Sequence, residues 1–251
     1  MRKPTLLYTL LVTIVLMLVA GQTMADEIRV AVASNFSNAI KHIAERFEAN
    51  TQHKVTLIFG STGKHYAQIK NGAPFGAFFA ADVKRPKLLE EEGVARPGSR
   101  FTYAVGKLIL WSPKSGYVDA EGAVLEPRQF HHLAIANPKL APYGKAAHEV
   151  LQARGLWDAL RDYVVRGENI GQTFQFVKSG NAELGFIAYS QVKRPDHPIE
   201  GSFWEVPQSL YTRIEQQAVL LKDDAAVRAF MSFVKKAESL EIIRGFGYGT
   251  E

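Results

Sequence analysis

One pattern constrains this chain more than any other: a β-branched or small-residue strand running into a Ser/Gly turn and then a helix, twice within the forty-five residues 27–71. Glu27-Ile-Arg-Val-Ala-Val-Ala33 reads as a buried strand, Ser34-Asn-Phe-Ser37 breaks it, and Ala39-Ile40, Ile43-Ala44 and Phe47 recur at helical spacing over 38–50. Val55–Phe59 is the next strand, Gly60-Ser-Thr-Gly63 the next turn, and a helix is predicted over 65–71. This order predicts an α/β chain with a mostly parallel sheet and ligand loops at the strand C-termini.

Further strands are predicted at Phe78–Ala81, Tyr103–Trp111, His132–Ala136, Leu184–Ala188 and Gln217–Leu221. Helices are predicted from after Gly144 through Leu151, from Asn169 onward and over 225–245. No Pro/Ser-rich linker divides the chain, so two lobes would be joined by strands crossing between them. Tyr103–Trp111 and Gln217–Leu221 are the candidates. The expected division is residues 26–105 and 216–251 for lobe 1 and 106–215 for lobe 2.

The start of the chain bears on its compartment. Arg2 and Lys3 precede an apolar run from Leu6 to Ala20, and Thr23-Met24-Ala25 is a small-x-small site. Residues 1–25 therefore read as a signal peptide cleaved before Asp26, and a periplasmic location is expected. The apolar run is shorter than the roughly 20 residues that a membrane-spanning helix needs. The chain has no cysteine, which excludes disulfides, thiolate catalysis and cysteine-bound metals. The formal charge of +5 falls to +3 once Arg2 and Lys3 are removed, and basic residues alternate with acids along the chain. That distribution argues against a nucleic-acid surface and suits mild steering of anions.

Four turns share one chemistry: Ala33-Ser34-Asn35, Gly60-Ser61-Thr62-Gly63, Pro142-Tyr143-Gly144 and Glu168-Asn169-Ile170-Gly171. In each, small or hydroxyl residues stand where a strand passes into a helix. The first N–H groups of a helix lack intrahelical partners and carry the positive end of its dipole, so an oxyanion can be held there without a cation. Taken singly, Ser34, Thr62 and Asn169 are ordinary helix caps. His131-His132 point to opposite faces of a strand and do not form a metal pair. Lys64 and His65 read as solvated helix-start residues, and Phe75, Phe78 and Phe79 as core.

The ordered motifs Ala-Val-Ala-Ser34, Phe59-Gly-Ser-Thr-Gly-Lys-His-Tyr-Ala-Gln-Ile69, Asn71-Gly-Ala-Pro74, Phe78-Phe-Ala-Ala-Asp82, Ala136-Asn-Pro-Lys-Leu-Ala-Pro-Tyr-Gly144, Gly167-Glu-Asn-Ile170, Glu183-Leu-Gly-Phe186 and Phe246-Gly-Tyr resemble the periplasmic molybdate-binding proteins of ABC importers, a type II periplasmic solute-binding family. The resemblance implies two α/β lobes, each a mostly parallel sheet flanked by helices, closing on molybdate or tungstate. It implies no cofactor, no free metal cation and no catalytic residue. Molybdenum enters only as the bound oxyanion.

Carried over by position, the ligand-binding residues are Ser34, Asn35, Ser61 or Thr62, the main-chain N–H groups of Tyr143 and Ile170, and the phenol of Tyr189. Alignment through Gln68-Ile69 favours Thr62, with Ser61 the neighbouring option. The chain departs from the family in reading Pro74-Phe-Gly-Ala, where Pro-Ala-Asp is usual, and in a register one residue longer around Tyr189. The implied partners are a membrane permease and its ATPase, and the protein itself is expected to be a monomer. Two other readings stand beside this one: a binding protein for sulfate, phosphate or an organic acid, and a hydrolytic enzyme. The enzyme reading would need a base beside Ser34 or Ser61 and lacks a Gly-x-Ser-x-Gly elbow.

Overall fold

The computed structural model describes residues 27–126 and 129–250. The expected signal peptide, residues 1–25, lies outside the described residues. Among the described residues no helix is long and apolar enough to cross a membrane.

The first sheet has strand order β2-β1-β3-β10-β4, with β1 Glu27–Ala33, β2 Lys54–Gly60, β3 Ala77–Ala80, β4 Phe101–Gly106 and β10 Ile214–Leu220. β2, β1 and β3 are parallel, β10 is antiparallel to both of its neighbours, and four of the five strands therefore run the same way. The last four residues of β1 are buried on both faces, as expected of a central strand covered on both sides. On one face Val30, Val32 and Phe79 pack with Ile40, Ile43 and Phe47 of helix α1, Ser37–Asn50, and with Phe230 of α7, Ala225–Val234. On the other face Ala31 and Phe78 meet Ile69 of α2, Thr62–Lys70, and Leu89 of α3, Lys84–Glu91.

The second sheet repeats the plan with order β7-β6-β8-β5-β9: β5 Leu108–Ser112, β6 Leu133–Ala136, β7 Val164–Gly167, β8 Leu184–Ala188 and β9 Ser202–Glu205. Here β5 is the strand that runs against the others. Helix α4, Pro142–Ala153, packs Ala147 and Val150 on one face of this sheet. Helix α6, Ile170–Lys178, packs Val177 on the other. A short helix, α5 Trp157–Leu160, follows α4, and α8, Ala237–Gly245, closes the chain against α1.

The predicted continuous strand Tyr103–Trp111 is two strands. It breaks at Lys107, so that β4 ends in one sheet and β5 begins the other. The break falls beside Gly106, where a Cβ would lie 2.0 Å from the Tyr143 hydroxyl, and no side chain could stand there. The return crossing precedes the predicted Gln217–Leu221, because β10 already begins at Ile214 and lies wholly in the first sheet. The two crossings run side by side: Ile214 pairs with Gly106, and Leu108 N donates to Tyr211 Oη at 3.2 Å.

Candidate functional site

The four donor-rich turns come together at the junction of the two lobes. After β1, Ser34–Phe36 forms a single 3-10 turn before α1. Its Ser34 hydroxyl donates to Asn169 Oδ1 at 3.1 Å and accepts from Gly171 N at 3.1 Å. Both partners lie on the other lobe.

After β2, α2 begins at Thr62, three residues earlier than the sequence suggests, because Ser61 caps it by accepting from Lys64 N at 3.3 Å. The adjacent Gly63 N donates across the cleft to Leu140 O at 2.9 Å. Thr62 Oγ1 accepts from Ala81 N at 3.1 Å and so ties the end of β3 to this turn. Ser61 and Thr62 are both buried.

Helix α4 starts with Pro142 at its first position, where the missing N–H costs nothing. The main chain of its first turn passes so close to β6 that a Cβ on Gly144 would sit 2.1 Å from Ala136 O. Helix α6 is capped by Asn169, whose Oδ1 accepts from Gln172 N at 3.0 Å.

Ala33, Ser34, Asn35, Gly60, Ser61 and Thr62 from lobe 1 face Pro142, Tyr143, Asn169 and Ile170 from lobe 2 around one small cavity of about 10 Å³, with Ala81 and Ala141 completing the wall. Among the described residues no charged side chain lines it. Such a wall offers hydroxyls, helix-start N–H groups and three positive dipole ends, those of α2, α4 and α6. It suits a small anion that only accepts hydrogen bonds. The present room is about that of one water, so four oxygens need the turns to separate slightly.

Beneath the wall lies a buried polar cluster. Asn35 Nδ2 donates to Gln216 Oε1 at 2.7 Å and to Tyr248 Oη at 3.1 Å. Gln216 Nε2 donates to Tyr143 Oη at 3.1 Å, linking the lobes. Burial holds the phenols of Tyr103, Tyr143 and Tyr248 above their ordinary pKa, so all three stay neutral donors.

Of the residues expected at the site, Ser34, Asn35, Ser61, Thr62, Tyr143 and Ile170 line the cavity and Tyr189 does not. The ring of Tyr189 packs over Gly247, where a Cβ would lie 2.5 Å from it, and beside Phe203 and Lys107. Those contacts hold it away from the cavity wall. His65 is also placed differently: it is buried, with Nε2 3.2 Å from Val32 O and Nδ1 3.0 Å from Gln68 Oε1. The α2 cap starts the helix early and turns this ring inward over Gly60. Among the described residues no group of three His, Asp or Glu could hold a metal ion.

Two residues escaped the sequence reading. Asn169 was legible only as a helix cap, and nothing marked its bond to Ser34, 135 positions away. Gln216 is fully buried in β10, and its signal is weak, because it is the middle one of three consecutive polar residues, Glu215, Gln216 and Gln217.

Residues 28–249 match the family described as bacterial extracellular solute-binding protein. The molybdate-binding protein ModA of Azotobacter vinelandii is 52% identical over 93% of this chain and 94% of its own length. The protein of the same name from Rhodobacter capsulatus is 51% identical, with 90% of each chain covered. A solved structure of the Azotobacter vinelandii periplasmic molybdate-binding protein superposes with a TM-score of 0.87 and 43% identity, over 89% of this chain and 99% of that one.

Proposed function

Because this chain belongs to the bacterial extracellular solute-binding protein family, we propose that it is the periplasmic molybdate-binding component of an ABC importer, taking tungstate as the near-isosteric alternative. It binds and delivers; it does not catalyse. The observation that carries the ligand class is the convergence of four donor-rich turns from two lobes on one cavity with no charged side chain in its wall.

In this reading Ser34 gives the anion its hydroxyl proton, now directed at Asn169. Ser61 gives a second hydroxyl, since its oxygen already caps α2 and its proton remains to donate. Thr62 keeps its hydroxyl oxygen on Ala81 and braces the turn. The main-chain N–H groups of Tyr143 and Ile170 complete the shell from lobe 2, and Asn35 adds its carboxamide. Tyr189 has no part in the shell. A hydrogen bond to a charged acceptor is worth roughly 1.5–3 kcal/mol, so these five outweigh the ordering costs of closure and support tight binding.

The two lobes close as a hinged trap about the paired crossings at Gly106–Leu108 and Tyr211–Ile214. Residues 1–25 direct export and are then removed. The closed monomer presents the anion to a membrane permease driven by an ATPase. Because a fully deprotonated dianion offers only acceptors, a donor-only shell rejects protonated phosphate. Cavity size separates molybdate from the smaller sulfate.

Calorimetric titration of the mature protein with molybdate, tungstate, sulfate and phosphate tests this reading. Heat is expected from the first two. Heat from sulfate or phosphate with none from molybdate overturns it.

A further inference from the structure

The Asn35 carboxamide carries an unresolved pairing. It is buried and lines the cavity, yet its Oδ1 has no hydrogen-bond partner among the described residues. A buried acceptor left unpaired is costly. One lining a cavity for an anion would also repel the ligand. Its Nδ2, the group an anion would want, is spent on Gln216 Oε1 and Tyr248 Oη. The neighbouring Tyr143 hydroxyl, meanwhile, receives an N–H from Gln216 where a phenol would more usefully donate.

A half-turn of both carboxamides removes each defect, because amide oxygen and nitrogen exchange places with little change of shape. The 2.7 Å contact then becomes Gln216 Nε2 donating to Asn35 Oδ1. The 3.1 Å contact becomes the Tyr143 hydroxyl donating to Gln216 Oε1. Gln216 Nε2 also reaches Tyr103 Oη at 3.0 Å, while the Tyr103 proton stays on Ala80 O at 3.1 Å. Tyr248 then moves its proton from Asn35 O, to which it donates at 2.7 Å, onto Asn35 Oδ1, and Asn35 O keeps the Ser190 Oγ donor at 3.1 Å. The NH₂ group of Asn35 moves to the place its oxygen held.

We propose that Gln216 is a positioning residue that, by donating to Asn35 Oδ1 and accepting from Tyr143 Oη, turns the Asn35 NH₂ group toward the anion and couples that orientation to lobe closure. The inference rests on the anion-binding reading of the cavity. The coupling follows from the partners: Asn35 belongs to lobe 1 and Tyr143 to lobe 2. Gln216 itself stands where β10 shifts register against β4, between Gln216 and Gln217. It is wedged against Gly106, where a Cβ would lie 2.6 Å from its Nε2.

Gln216→Glu tests the arrangement at almost constant shape. A carboxylate only accepts, so it forces Asn35 to keep its NH₂ on residue 216 and its oxygen at the cavity. The titratable groups around the position are the neutral phenols of Tyr103 on β4, Tyr143 on α4 and Tyr248 beyond Asn35, with Asp82 acting on Tyr103 from the end of β3. None of them turns a carboxylate into a donor. At pH 8 the variant is expected to bind molybdate at least tenfold more weakly than the wild type. The deficit should shrink at pH 5.5, as the buried acid protonates and regains a donor. Loss by packing alone would not follow pH.

A second measurement avoids the variant. In the ¹⁵N-labelled wild-type protein, saturating molybdate should shift the Asn35 side-chain NH₂ resonances and slow their exchange with water. Gln216→Glu binding as tightly as wild type at pH 8, a deficit independent of pH, or Asn35 NH₂ signals unmoved by molybdate would each overturn the proposal while leaving the binding function in place. A wild-type protein that gives no heat with molybdate removes both.

Discussion

Ser34 and Asn169 meet across the cleft: the Ser34 hydroxyl donates to Asn169 Oδ1 at 3.1 Å, and its oxygen takes the Gly171 N–H at the same distance. One hydroxyl thus joins the first turn of lobe 1 to the start of a lobe 2 helix. Its proton is the group that an arriving anion can claim without disturbing the Gly171 bond.

Ser34→Ala should therefore weaken molybdate binding by roughly 10- to 100-fold, the worth of one hydrogen bond to a charged acceptor. The variant should remain folded, because Asn169 Oδ1 keeps the Gln172 N–H. Isothermal titration of wild type and variant in one buffer measures the ratio. A change under threefold would remove Ser34 from the shell.

Ser61 and Thr62 should separate by readout. Ser61→Ala deletes a proposed donor and a helix cap, so affinity should fall at least tenfold and stability by about 1 kcal/mol. Thr62→Val keeps the shape but leaves the buried Ala81 N–H without its acceptor. It should cost about 1–3 kcal/mol of stability and far less affinity than Ser61→Ala. Thermal melts beside titrations distinguish the two, and the opposite ranking would exchange their roles.

The glycine at 106 serves space, and Gly106→Ala should show it. A Cβ 2.0 Å from the Tyr143 hydroxyl cannot coexist with the closed lobes, so the open arrangement should gain. Small-angle scattering with saturating molybdate should give a larger radius than wild type, and affinity should drop at least tenfold. Unchanged compaction and affinity would show that the crossing tolerates a side chain.

Lys64 and Glu168 form an exposed ion pair across the cleft mouth, with Nζ 3.1 Å from Oε2. Pairs in such surroundings contribute about 0.2–1 kcal/mol. Glu168→Gln should then speed molybdate release by no more than about fivefold, with the difference vanishing near 1 M salt. Stopped-flow release kinetics at low and high salt provide the check. A salt-independent effect would mean that Glu168 acts through the α6 turn.

Much of this fold was legible because its central strands carry unmixed signals. In β1 Val30 and Val32 are buried on one face and Ala31 on the other, and the Gly60–Gly63 and Pro142–Gly144 turns sit where strands hand over to helices. The edge strands β7 and β9 were not visible: each is four residues long and half-exposed, with charged Arg166 or Glu205 within it. The break at Lys107 was hidden because Tyr103–Trp111 is apolar throughout except at that residue. Its cause, the hydroxyl of Tyr143, lies far along the chain. The four turns pointed to the site, but the residues behind them did not announce themselves. Asn169 and Gln216 act through partners that only the folded lobes bring within reach.

His65 gives a pH dependence whose sign can be worked out. Burial, the leading cause, holds its pKa below the ordinary histidine value, with the Gln68 and Val32 hydrogen bonds opposing. A ring buried against Val32 O and Gly60 stays neutral in the folded chain, while the unfolded chain takes up a proton as pH falls below about 6.5. The unfolded state then binds more protons, so stability is full above that pH and declines as pH falls toward the folded-state pKa. The melting temperature should accordingly be lower at pH 5 than at pH 7.5. His65→Gln, which retains a donor and an acceptor but cannot titrate, should flatten this part of the profile at some cost in packing over Gly60. Calorimetric melts of both proteins across that range make the comparison, and a variant with the same slope as wild type would assign the acid sensitivity to other groups.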